Sequence, residues 1–153
     1  MKKTANDMVI VMAIKPKYAK AIYEGRKNWE FRKAPPPLFK TIYLYESAPV
    51  SAITGAVVFG ESVTGLPLSV WEIVKTNRCF SKNLPGVTLR ELEDYAGEKL
   101  VTALRVTEMG QRKVPFYGRP PLNWGRYKLV IGSHAVSNGN GGKSYVFGPT
   151  IRP

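Results

Sequence analysis

Apolar residues run almost unbroken through MVIVMAI, from Met8 to Ile14, and stop at Lys15. A short run bounded by a cation predicts a buried first strand. The period then changes: in KPKYAKAIYEGRK, Tyr18, Ala19 and Ile22 share one helical face, Pro16 suits the first turn and Gly25 the end. EGRKNWEFRK returns to period two, with Lys27, Trp29, Phe31 and Lys33 on one side of a strand and Asn28, Glu30 and Arg32 on the other. The first side predicts core around Trp29 and Phe31, and the second a polar site. Prolines 35 to 37 end that strand.

KTIYLYES alternates as a third strand, and SAPV turns the chain into AITGAVVFGESV, whose Gly55 and Gly60 predict bulges. PLSVWEIVKT predicts a helix opened by Pro67 and Ser69. TLRELEDYAG predicts a second, with Thr88 as N-cap, Glu91 at the capping-box spacing and Gly97 at the end. KLVTALRVTE and YKLVIGSHAV read as strands, and the Gly/Asn-rich SNGNGGKSYVFGPTIRP as a flexible tail. Residues 1–136 are expected to form one domain and 137–153 the tail. Short strands with helices at their connections predict an α+β domain, a small mixed β-barrel with two or three peripheral helices. An open α+β sandwich is the alternative.

Length and composition agree, since 153 residues with 44% hydrophobic content supply a single core. The lone Cys79 and lone His134 form no disulfide and no recognised metal-ligand spacing, so no cofactor or metal is expected and a reducing cytoplasm is the expected location. Cys79 itself reads as a small half-buried side chain. The apolar run ending at Lys15 is too short to span a bilayer and lacks a cleavage site after it, so no membrane association is expected.

The net charge of +12 is uneven: residues 1–40 hold ten Lys/Arg against three acids, 41–108 six against eight, and 109–153 seven against none. If the fold brings the terminal thirds together, they form the basic footprint of a phosphate-rich partner. From Gly110 onward, Arg119, Arg126 and Lys128 alternate with Phe116, Tyr117, Trp124 and Tyr127. That texture suits bases stacked on aromatics with cations tracking a backbone, and equally a proline-rich strap packed over the sheet.

MAIKPKYAKAIYEGRKNWEFRK, then IYLYESAPVSAITG, VWEIVKT, DYAG and ALRV, together resemble the ASCH family of the PUA-like superfamily over about residues 9–108. The elements carrying the likeness are Lys15-Pro16, Gly25, the Lys27/Glu30/Arg32 pattern, the Ser47-Ala48-Pro49 turn, Gly55 and Trp71. The basic-aromatic extension 109–136 lies outside it. The resemblance implies a PUA-like barrel with a cleft at the Lys/Glu/Arg motif and a role centred on RNA or a nucleotide. The sequence does not exclude DNA and shows no obligate protein partner. Expected binding residues are Lys15, Lys27, Arg32, Ser47, Arg119, Trp124, Arg126 and Tyr127. A small hydrolase of a modified nucleoside such as an N4-acylcytidine, or of RNA, is the alternative, with Lys27 as base and Glu30 beside it. In that branch a threonine hydroxyl stands three positions after the lysine, where this chain has Glu30, and LPGV ahead of TLREL offers no match to its acid. Glu61 is a possible second carboxylate. A protein-interaction module is the third reading.

Overall fold

The computed structural model describes residues 8–76, 84–137 and 143–152. The periodic segments form the elements their patterns predict: β1 Met8–Ile14, α1 Pro16–Tyr23, β2 Trp29–Arg32, β3 Thr41–Glu46, β4 Ala52–Gly65, α2 Pro67–Thr76, α3 Leu89–Ala96, β5 Val101–Val114 and β6 Trp124–Ser137, followed by β7 Lys143–Arg152. Helix α1 has Pro16 in its first turn, and Gly25 just beyond it takes φ 74°, where a side chain would be strained. In α3 both bonds of the capping box form: the Glu91 amide donates to Thr88 Oγ1 (3.1 Å), and the Thr88 amide donates to Glu91 Oε2 (2.8 Å).

The strands form one seven-stranded sheet in the order β2-β5-β4-β3-β1-β6-β7. Strands β1 and β3 pair in parallel with Ile10 opposite Ile42, and the other five neighbouring pairs are antiparallel. The expected closed barrel is corrected here: β2 and β7 are the two edges, so the sheet is open. It is nonetheless curled. The β4–β5 register shifts between Ile53 and Gly55, between Val58 and Phe59 and between Phe59 and Glu61, the first and last at the two glycines singled out in the sequence. A side chain at Gly60 would meet Thr107 Cγ2 at 2.5 Å, so the bulge holds a larger residue only if Thr107 moves. The curl brings the chain after β5 onto β7, where Tyr117 N donates to Ile151 O (2.9 Å) and Ile151 N to Pro115 O (2.9 Å).

Two further expectations change. β5 runs on to Val114 rather than ending near Glu108, because its antiparallel partner β4 continues beside it. Lys143–Arg152, read as flexible tail, is strand β7, fully paired with β6. Gly148 and Pro149 interrupt its alternation in the sequence, but an edge of β6 was available to pair. Cys79 lies outside the described residues, and His134 is placed in β6 by its backbone.

Three apolar clusters sit on the sheet. Helix α1 covers Ile10, Met12, Ile42, Leu44 and Val57. Helices α2 and α3 cover Trp29, Phe31, Val101 and Ala103. Val11, Ile53, Val114 and Ile151 form the third, with Tyr45, Phe116 and Tyr127 against them. Trp29 has no exposed surface, so truncating it to alanine is expected to cost about 3–5 kcal/mol.

Candidate functional site

The hollow between α1 and α3, floored by β2, has a volume of about 620 Å³. Its floor is Glu30, Phe31 and Arg32; the end of β1 and start of α1 give Lys15, Lys17 and Tyr18; α3 gives Glu91, Asp94 and Tyr95; Ser47 and Leu122 complete the rim. Four of the expected site residues, Lys15, Glu30, Arg32 and Ser47, therefore meet at one place. The turn carrying Ser47 is fixed by its own amide, which donates to Ile14 O (2.9 Å) at the end of β1.

Period two separates Glu30 and Arg32 from Trp29 and Phe31, yet Glu30 is only 5% exposed. Strand β2 is covered on both sides: helices α2 and α3 pack over Trp29 and Phe31, and Lys27, Ala13 and Asn123 close around the Glu30 and Arg32 side chains. Buried charge must be paired, and it is. Arg32 Nη2 lies 3.1 Å from Glu30 Oε2 and also donates to Ala13 O (2.7 Å); its Nη1 donates to Asn123 Oδ1 (2.8 Å). Lys27 Nζ is 3.6 Å from Glu30 Oε1, an oxygen that also accepts from the Phe31 amide (3.1 Å).

Lys27 does not line the hollow. Its side chain is wholly buried behind the lining, with the ammonium 5.4 Å from the Tyr18 ring centroid and 5.1 Å from that of Phe31. Nζ donates to Pro85 O (2.8 Å). The LPGV segment thus holds the lysine: Gly86 has φ 70° and its Cα lies so close to the lysine stem that a Cβ there would overlap Lys27 Cβ and Cγ. Asn28 fastens the same segment, its amide donating to Leu84 O (2.9 Å) while its Oδ1 accepts from the Leu84 amide (2.7 Å).

Burial pushes the Lys27 ammonium below its ordinary value, and Glu30 only partly restores it. Burial pushes the Glu30 carboxyl up, but Arg32, Lys27 and the hydrogen bonds from Arg32 and the Phe31 amide outweigh it and hold the carboxyl below its ordinary value. Glu91 is also lowered, first by the Thr88 amide and then by Lys17. The site is therefore a line of alternating charge, Lys27, Glu30, Arg32, with Glu30 as a fixed acceptor and both cations as donors.

The remaining expected residues lie elsewhere. Trp124 packs against the α1-covered cluster and donates from Nε1 to Ala34 O (3.2 Å). Tyr127 meets Phe116 edge-on at 5.2 Å between centroids and donates to Arg119 O (3.0 Å). Arg126 sits 5.4 Å from the Trp124 ring. The strap ahead of β6 does reach the site through Asn123, which holds Arg32 and donates from Nδ2 to Ala34 O (2.7 Å). Glu61 pairs with Arg105 (3.6 Å) on β4–β5, away from the hollow. Sequence reasoning missed Asn123, Pro85, Tyr18 and Tyr95. Only Glu91 carried a visible signal, and that signal was its cap. Among the described residues no group of three or more His, Cys, Asp or Glu is placed to hold a metal, and no helix is long and apolar enough to cross a membrane.

An open, curled α+β sheet with a charged hollow between helices α1 and α3 defines the class of protein. The ASCH domain model matches residues 12–103, and the chain belongs to the ASCH family. In fold the chain is similar to the crystal structure of the ASCH protein of Zymomonas mobilis (TM-score 0.60, 23% identity, covering 76% of this chain and 85% of that one). It is also similar to a tyrosine-to-phenylalanine variant of that protein (TM-score 0.63, 23% identity, 76% and 87%) and to a serine-to-alanine variant (TM-score 0.63, 23% identity, 76% and 85%). No curated protein matches the chain.

Proposed function

We propose that this chain is an RNA- or nucleotide-binding ASCH module that receives one nucleoside unit in the hollow between α1 and α3. The observation that carries the reading is the buried Glu30–Arg32 pair exposed only toward a hollow of about 620 Å³. That volume lies within the range of small-ligand sites. The family is generally linked to RNA binding, in keeping with the basic charge. Glu30, kept ionised by its two cations, accepts from an exocyclic amine; Tyr18 and Tyr95, each with a lysine ammonium against its ring, line the walls; Lys15 and Lys17 meet the phosphate. Lys27 supports this floor from behind.

Titration with single-stranded RNA and with 5′-mononucleotides tests the reading. Affinity for RNA falls steeply with salt as counterions are released, and Lys15→Ala with Lys17→Ala weakens both ligands by about tenfold, the scale of one charge-assisted contact. A flat salt response, or unchanged affinity in the double variant, rejects it.

A hydrolytic reading would need Lys27 as base, yet Lys27 Nζ stands behind the lining of the hollow, bonded to Pro85 O (2.8 Å) and beside the Glu30 carboxylate. Turnover of an N4-acylcytidine or cleavage of RNA by the wild-type protein, lost in Lys27→Met while the melting transition persists, would establish it. Absence of turnover leaves Lys27 as support for Glu30.

A further inference from the structure

Strand β7 creates a cationic row that the sequence concealed. Trp124, Arg126 and Lys128 alternate onto one face of β6, while Tyr127 and Leu129 turn inward to the third cluster. Opposite Lys128 in the β6–β7 ladder stands Arg152, and opposite Leu129 stands the buried Ile151. Arg126, Lys128 and Arg152 are all exposed. Two cations directly across a ladder, with side-chain bases about 5 Å apart, repel and destabilise the pairing. No carboxylate among the described residues is within ion-pair distance of any of the three, and residues 109–153 contain no acid. Arg126 and Arg152 are each set against a ring, Trp124 at 5.4 Å and Tyr117 at 5.9 Å, which orients their guanidinium groups.

The row is continuous with the hollow. Asn123, immediately ahead of β6, bonds Arg32 on the floor and accepts from the Ala13 amide (2.8 Å), and Leu122 lines the rim. From Asn123 to Lys128 the strand travels about 17 Å away from the site. We infer that Arg126, Lys128 and Arg152 form a phosphate track for the backbone of a single-stranded RNA whose end nucleoside occupies the hollow. This rests on the proposed binding function and adds to it the direction in which the strand leaves. The spacing of the cations along one extended strand suits a flexible single strand, whose phosphates supply a counter-charge that no carboxylate among the described residues provides.

The test compares the wild-type chain with the triple variant Arg126→Ala, Lys128→Ala, Arg152→Ala, using a 12-nucleotide unstructured RNA and 5′-mononucleotides as probes. All three side chains are exposed, so the variant keeps its fold, checked by its melting transition. RNA affinity is expected to fall by at least about tenfold and the slope of log K against log salt to shrink by about two, near 0.7 for each phosphate that is no longer neutralised. Mononucleotide affinity stays at the wild-type value. A second variant, Lys128→Glu with Arg152→Glu, shows a larger loss for RNA. Unchanged RNA affinity and slope, with Lys15→Ala and Lys17→Ala still weakening both probes, overturns the track and leaves the hollow as the binding site. Equal losses for heparin or for phosphatidylserine vesicles would also overturn it, since the row would then be a general polyanion face. Absence of binding to either nucleotide probe by the wild-type chain would remove the underlying reading and the track together.

Discussion

Glu30 touches two cations, and the asymmetry of that arrangement decides what each substitution does. Glu30→Gln leaves Lys27 and Arg32 buried without their shared counter-charge, so a loss of about 3–5 kcal/mol is expected in urea unfolding. Lys27→Met costs less, because Glu30 keeps Arg32 and the methionine refills the space behind Tyr18 and Phe31. The pH dependence separates the two. The Glu30 carboxyl is held below 4.5, so it contributes stability that is complete above that pH and is lost as the pH falls through the folded value. Lys27 is held below 10.5, so the unfolded chain binds that proton more tightly and stability from this group rises with pH between the folded value and 10.5. Glu30→Gln is therefore expected to flatten the acid limb of the stability curve below pH 4.5, and Lys27→Met the alkaline limb. The types of these residues and their spacing were legible in the sequence. Their burial was not, since period two assigns a face but says nothing of what lies over it.

At the scale of elements, α3 was the most readable part of the chain and also the part whose function was hidden. Its capping box fixes where the helix starts, and the start fixes where Glu91, Asp94 and Tyr95 stand in the wall of the hollow. Thr88→Ala is expected to cost about 1 kcal/mol in thermal or urea unfolding, and to weaken nucleotide binding as the first turn frays. Wild-type affinity in this variant would mean that the wall forms without its cap. The four-residue strand β2 was readable in register but not in neighbours: pairing with β5 sets Trp29 opposite Arg105 and Glu30 opposite Leu104, a meeting across more than seventy residues that no local pattern encodes. Gly55 and Gly60 marked the bulges of β4 correctly, because close approach of Gly110 leaves no room for a side chain at the first and Thr107 crowds one at the second.

For the whole molecule, the decisive departure lies in the last strand. If β7 belongs to the folded sheet, Ile151, which has no exposed surface, is a core residue, and Ile151→Ala is expected to cost about 2–5 kcal/mol in denaturant unfolding. A silent substitution would return 143–152 to the status of a tail. The uneven charge of the chain was visible from the start, and the fold brings its terminal segments together on adjacent strands: β1 pairs with β6 and β6 with β7. The sequence by itself determined the periods, caps and bulges, because those depend on neighbours within a few residues and on the steric demands of glycine and proline. It also carried enough ordered motif to mark the family. The tertiary structure alone decided that the sheet stays open and that Lys27 lies behind the hollow rather than in it. It also decided that Asn123 locks Arg32 and that Lys128 faces Arg152, because each of these is a meeting of distant segments selected by burial and ladder pairing together.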